Sequence, residues 1–141
     1  MSGSEAGEIY YLDTSVVMHI ALGHSPTAGA WFHQRYARGE AFVTSRLARL
    51  EATRVLHQEA LNLDLAATVL DIVTMLSVDD SLLVEAGALR IQVKSLDALH
   101  LASAARVGAG LVTVATNDQN MRQAAQVLGF NVHNPVQEQP V

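Results

Sequence analysis

Four carboxylates occupy positions where an acid can do more than solvate a surface. Asp13 directly follows the apolar run Ile9-Tyr10-Tyr11-Leu12, and Asp118 follows the β-branched run 111–115 by way of Thr116 and Asn117. Both fall at the carboxyl ends of expected parallel strands, where open α/β sheets place their ligand sites. Glu51 lies in a helical pattern between Leu47, Leu50 and Val55, on the apolar side of its helix. Asp97 sits in the first turn of a helix beginning Ser95-Leu96-Asp97-Ala98-Leu99-His100. Each acid alone has an ordinary explanation. Asp13 and Asp118 suit helix N-caps, Glu51 suits an ion pair with Arg54 or Arg46, and Asp97 suits a helix dipole worth about 0.3–1 kcal/mol. Together they point further. Clustered carboxylates repel one another and hold protons, an arrangement that a hard divalent cation resolves, with Mg²⁺ or Mn²⁺ as the natural occupant.

Such acids must be brought together by a sheet and its connecting helices. The chain has 141 residues and is half apolar, enough for one core and one domain. Its expected extent is 9–135, with 1–8 as a flexible lead-in and 136–141 as a tail. Strands are expected at 9–12, 41–44 and 111–115, with short additions at 76–78 and 131–133. Helical periodicity predicts 15–22, 26–38, 46–60, 65–76, 81–93, 96–107 and 119–128. Ser45, Asp64, Asp80, Ser95 and Asp118 are placed to start helices, and Gly39, Gly108 and Gly129 to end them. The fold class is α/β, with a small central parallel sheet of about four to five strands flanked by about seven helices.

There is no cysteine, so thiolate metal sites and disulfides are excluded and a reducing cytoplasm is the expected location. The first eight residues lack the pattern of a secretory signal. The longest apolar tract, 99–115, is broken by His100, Arg106, Gly108 and Gly110, which argues against a membrane span. A net charge of −5 counts against a broad nucleic-acid surface, though not against a local site whose acids hold a cation.

Leu12-Asp13-Thr14-Ser15, Leu50-Glu51, Leu96-Asp97-Ala98-Leu99-His100-Leu101-Ala102 and Thr116-Asn117-Asp118 resemble the ordered acidic motifs of PIN domains, over nearly the whole chain. A stand-alone domain of this length is similar to the VapC toxins of bacterial toxin–antitoxin pairs, ribonucleases blocked by a VapB antitoxin. The resemblance implies Mg²⁺-dependent hydrolysis of RNA phosphodiester bonds, with Asp13, Glu51, Asp97 and Asp118 as metal-binding and catalytic acids. It implies Thr14, Ser15, Thr116 and Asn117 as hydrogen-bonding supports behind them, and a VapB-like antitoxin, a homodimer or a toxin–antitoxin hetero-oligomer as the assembly.

Arg46, Arg49 and Arg54, on the helix of Glu51, are the candidate phosphate contacts, and Arg122 is another. His100 is expected to pack rather than to ligate, and the remaining histidines show no ligand spacing. Ala21, Leu22, Ala28, Trp31, Phe32 and Tyr36 are a candidate apolar groove for the antitoxin, with the core as the alternative place for Trp31 and Tyr36 at helical spacing. Two other classes fit less well. A PIN-fold interaction module would keep the fold without catalysis. A haloacid-dehalogenase-like phosphatase would use Asp13 as nucleophile, but that family expects a second Asp where this chain has Ser15.

Overall fold

A computed structural model describes residues 8–137; the ends of the expected lead-in and tail, 1–7 and 138–141, lie outside the described residues. Five strands, β1 (Ile9–Leu12), β2 (Ala41–Ser45), β3 (Thr74–Leu76), β4 (Val112–Ala115) and β5 (Asn131–His133), form one sheet in the order β3-β2-β1-β4-β5. Every pairing is parallel. Ile9 lies opposite Ala41 on one side of β1 and opposite Val112 on the other. The order reverses at β1, so the crevice outside its carboxyl end is the natural ligand position of the fold.

Among the described residues, seven α-helices connect the strands: α1 (Thr14–Ala21), α2 (Pro26–Ala37), α3 (Arg46–Gln58), α4 (Ala67–Leu70), α5 (Asp80–Gly87), α6 (Ser95–Val107) and α7 (Gln119–Val127). Their starts are chemically marked. Asp13, Ser25, Ser45, Asp79 and Asp118 each accept a hydrogen bond from a backbone N–H of the first turn. Gly39, with φ of 83°, takes the left-handed conformation that turns α2 back toward β2.

Alternation along the central strands loads both faces of the sheet. Tyr10 and Leu12 pack with Trp31, Phe32, Phe42 and Leu56 beneath α1 to α4, while Tyr11 packs with Leu101, Val114 and Met121 beneath α6 and α7. Each such side chain, fully buried, contributes about 1.5–3 kcal/mol. Trp31 and Phe32 are therefore core rather than groove; they and Ala28 are buried, and of the aromatic groove candidates Tyr36 is the exposed one. The T-shaped contact of Trp31 with Tyr10, centroids 5.0 Å apart, shows what claims it.

Two expected helices are shorter than their periodicity suggests. The stretch 65–76 is divided into a 3₁₀ turn (Leu63–Ala66), α4 and β3, because Thr74–Leu76 completes the sheet edge beside β2. The stretch 81–93 is helical only to Gly87, and 88–94 is irregular, with a turn at Ala88 and a bend at Ile91. Cap positions shift accordingly. Asp79 rather than Asp80 starts α5, Asn62 rather than Asp64 starts the 3₁₀ turn, and Ser95 is the first residue of α6 with no side-chain cap before it. Among the described residues no helix is long and apolar enough to cross a membrane.

Candidate functional site

The carboxyl edge of the sheet gathers all four acids. Asp13 leaves β1, Asp118 leaves β4, Glu51 rides on α3 just after β2, and Asp97 lies in the first turn of α6, which descends to deliver the chain to β4. Asp13 is the most enclosed, with 5% of its surface exposed. Its Oδ1 accepts from the Ser15 hydroxyl at 2.8 Å and from the Val16 N–H at 3.0 Å, and its Oδ2 accepts from the Thr116 hydroxyl. Its backbone N–H donates to the Ala115 carbonyl at 3.2 Å, tying it across to β4. Burial raises the Asp13 carboxyl above its ordinary range, and the three donors partly offset this.

Glu51 is half-buried and held at one oxygen. His100 Nε2 lies 2.8 Å from Oε1, and the Thr14 hydroxyl donates to the same atom. Burial alone pushes the Glu51 carboxyl up, but the His100 and Thr14 hydrogen bonds and the imidazole's charge carry it below its ordinary range. His100, 3% exposed, is braced from behind, with Nδ1 at 2.6 Å from the Tyr11 hydroxyl. Burial pushes that hydroxyl up, so it stays protonated, and His100 bridges it to Glu51 through its two ring nitrogens. His100 is thus more than packing. Its signal was hidden because the residues that engage it are 89 and 49 positions away.

Asp97 and Asp118 line one open cavity of about 500 Å³, together with Lys94. Burial, then the nearby charge of Asp118 and those of Asp13 and Glu51, raise the Asp97 carboxyl, with His100 opposing. Asp118 is exposed; its Oδ1 accepts from the Met121 N–H at 3.0 Å and its own N–H donates to Thr116 Oγ1 at 3.0 Å. Asp13 and Asp118 therefore cap helices and face the site at once.

Three of the four expected supports touch an acid: Thr14 to Glu51, and Ser15 and Thr116 to Asp13. Asn117 instead accepts from the Asn134 amide at 3.0 Å, pointing along β5's exit. Arg46, Arg49 and Arg54 are exposed along α3, and Arg122 is exposed on α7. The partner of Glu51 is His100, not an α3 arginine.

Among the described residues no three acidic or imidazole groups are arranged to hold a metal ion as they stand. Glu51 is drawn to His100 and Asp118 to the start of α7. The donor chemistry nonetheless fits a hard cation. Four carboxylates within electrostatic reach, one of them with its proton affinity raised by the other three, gain stability from a shared positive charge.

A PIN-domain family model matches residues 10–127, most of the chain. Ribonuclease VapC46 of Mycobacterium tuberculosis strain ATCC 25618 / H37Rv is 36% identical over 128 residues, covering 89% of this chain and 96% of that protein. Ribonuclease VapC47 of strain CDC 1551 / Oshkosh is 27% identical with the same coverage. Among solved structures, VapBC2 from Rickettsia felis bound to a DNA fragment from its promoter aligns with a TM-score of 0.67 at 14% identity, over 89% of this chain and 98% of that one. FitAcB from Neisseria gonorrhoeae aligns at 0.63 and 20% identity, over 92% and 99%.

Proposed function

The chain belongs to the PIN-domain family, and on that footing we propose that it is a metal-dependent endoribonuclease, the toxin of a VapBC-type pair. The observation that carries the reading is the convergence of Asp13, Glu51, Asp97 and Asp118 on one sheet edge, with their charges coupled at Asp97. These four residues would hold Mg²⁺ or Mn²⁺. When bound, the cation supplies Lewis-acid stabilisation of charge on the attacked phosphate and a water of lowered pKa. Likeness to ribonucleases VapC46 and VapC47 supports RNA as the substrate. Likeness to VapBC2 and FitAcB supports a VapB-like antitoxin as the partner, with a homodimer or hetero-oligomer as the assembly. The working compartment is the cytoplasm, and 9–135 is the nuclease domain.

The chain's own residues have separable tasks. Ser15 and Thr116 clamp both oxygens of Asp13, so this carboxylate keeps one orientation and does not swing toward substrate. His100 and Thr14 occupy Oε1 of Glu51 and leave Oε2 as its free donor atom. The Thr14, Ser15 and Thr116 hydroxyls are each spent on a carboxylate, which favours water as the attacking group, with the acids orienting rather than reacting.

The test is cleavage of a mixed RNA pool by purified, partner-free protein with Mg²⁺, with EDTA, and as the Asp13→Asn and Asp97→Asn variants. The expected result is cleavage that needs Mg²⁺ and falls at least about a hundredfold in either variant, with circular dichroism showing that both remain folded. Equal cleavage in every sample, or none in the wild type across the pool, would remove the nuclease reading in favour of an interaction module.

A further inference from the structure

The connection from α5 to α6 carries a pattern the catalytic acids do not use. Its side chains alternate: Leu89, Ile91 and Val93 pack inward with Tyr11, Val112 and Val114, while Arg90, Gln92 and Lys94 are exposed. Facing this strip, α7 exposes Asn120, Gln123 and Val127 at i, i+3 and i+7, one face of the helix. Between them lie two adjoining cavities. The first, about 500 Å³, contains Asp97 and Asp118, and the second, about 260 Å³, runs on past Arg90, Gln123 and Val127. Gln92 and Asn120 line both, so the two are one groove that begins at the acids and leads away from them.

We propose that this groove is the track of single-stranded RNA, with Lys94 and Arg90 binding backbone phosphates and the amides of Gln92, Asn120 and Gln123 facing the nucleotides between. The proposal rests on the ribonuclease reading and deepens it. Its chemistry is local. The chain has nine Lys and Arg against fourteen Asp and Glu, yet two of those cations stand on one side of a groove that starts at the acids. Arg90 and Lys94 line the two ends of the groove and Gln92 lines both of its parts, so a strand following the groove passes both cations. Amides offer donors and acceptors together, as base edges require, and Val127 gives an apolar surface for a base at the far end. An acidic protein segment would meet Asp97 and Asp118 at the groove's mouth. The α3 arginines are worse placed. Arg46 and Arg49 lie roughly 140° and 160° around the helix from Glu51, and Arg54 lies a turn farther from the sheet edge.

The experiment uses the intact protein with Mg²⁺, an RNA that it cuts for the kinetics, and a mixed pool of single-stranded RNA for the cross-linking. Counterion release predicts that the Arg90→Ala/Lys94→Ala variant raises KM about tenfold near 0.15 M salt and flattens the dependence of log KM on log salt by about 1.4, with kcat little changed. The Arg49→Ala/Arg54→Ala variant is expected to move KM less. In the wild type, an oligonucleotide carrying 4-thiouridine is expected to cross-link within 90–94 and 120–127, whether or not it is cleaved. An unchanged KM in the groove variant, or cross-links confined to α3, overturns the proposal while leaving the nuclease intact. Weakened antitoxin binding with normal RNA kinetics overturns it in favour of a protein-docking face. Absence of cleavage together with groove cross-links overturns the nuclease reading and keeps the groove.

Discussion

Both oxygens of Asp13 and one of Glu51 are engaged by other side chains, and the consequence is clearest at His100. This ring satisfies Tyr11 on one nitrogen and Glu51 on the other. Replacing it by Leu removes the ring nitrogen that engages the buried Tyr11 hydroxyl and one of the two donors to Glu51 Oε1, with Thr14 still in place, a loss of about 1–3 kcal/mol. His100→Leu is therefore expected to lower the urea midpoint at pH 7 by an amount equivalent to about 1–3 kcal/mol. His100→Gln, whose amide N–H can stand in for Nε2, should recover part of that loss. If Gln is no better than Leu, the hydrogen bond to Glu51 is not what the ring provides. The acids were legible in the sequence because type, order and position relative to strands are local properties. The His100 link was not, because a helix residue's face can be read from periodicity but its long-range partner cannot. Asn117 marks the same limit: its position beside Asp118 suggested support for the acids, and a strand exit distant in sequence claimed it.

At the level of elements, caps and alternation located most strands and helices. The departures occur where two patterns coexist. Residues 81–93 contain a helical spacing at the start and the period-two run Leu89-Arg90-Ile91-Gln92-Val93-Lys94 at the end, and the structure follows each in turn. Residues 65–76 read as one helix because the apolar spacing continues, whereas the sheet's need for an edge strand divides it. Pairing between elements adds a pH signature. Arg106 on α6 bridges Asp79, the cap of α5, and Glu85 within α5. Hydrogen bonds from Arg106 hold both carboxyls below their ordinary values of 3.8 and 4.5. Groups depressed in the folded state stabilise above their unfolded pKa and lose that contribution as pH falls through the folded one. Arg106→Ala should thus lower Tm modestly at pH 7, since these groups are exposed, and the difference from wild type should disappear once the carboxyls protonate. A Tm difference that persists unchanged below pH 3 would locate the effect in packing of the arginine stem instead.

For the molecule as a whole, a crowd of acids on one sheet edge is a liability to the fold that a bound cation relieves. A ligand that binds only the native state stabilises by about 2.7 kcal/mol at a hundred times its Kd. Adding Mn²⁺ to metal-free protein should therefore raise Tm by several degrees, and Asp97→Asn should respond much less, as read by differential scanning calorimetry. Equal shifts in both would place the bound ion elsewhere. The acidic net charge is compatible with the proposed groove, which draws on only two cations, Arg90 and Lys94.

The all-parallel sheet also sets when the site comes into being. No two of its strands are joined by a hairpin, and its central strand, residues 9–12, pairs with residues 112–115 as well as with 41–43. Contacts of such separation form late, because loop-closure entropy must be overcome before they contribute. During synthesis the first of the acids waits for its last support: Asp13 acquires the Thr116 hydroxyl only after about a hundred further residues have left the ribosome. A chain that stops short of residue 116 therefore lacks one of the groups that fix the Asp13 carboxylate.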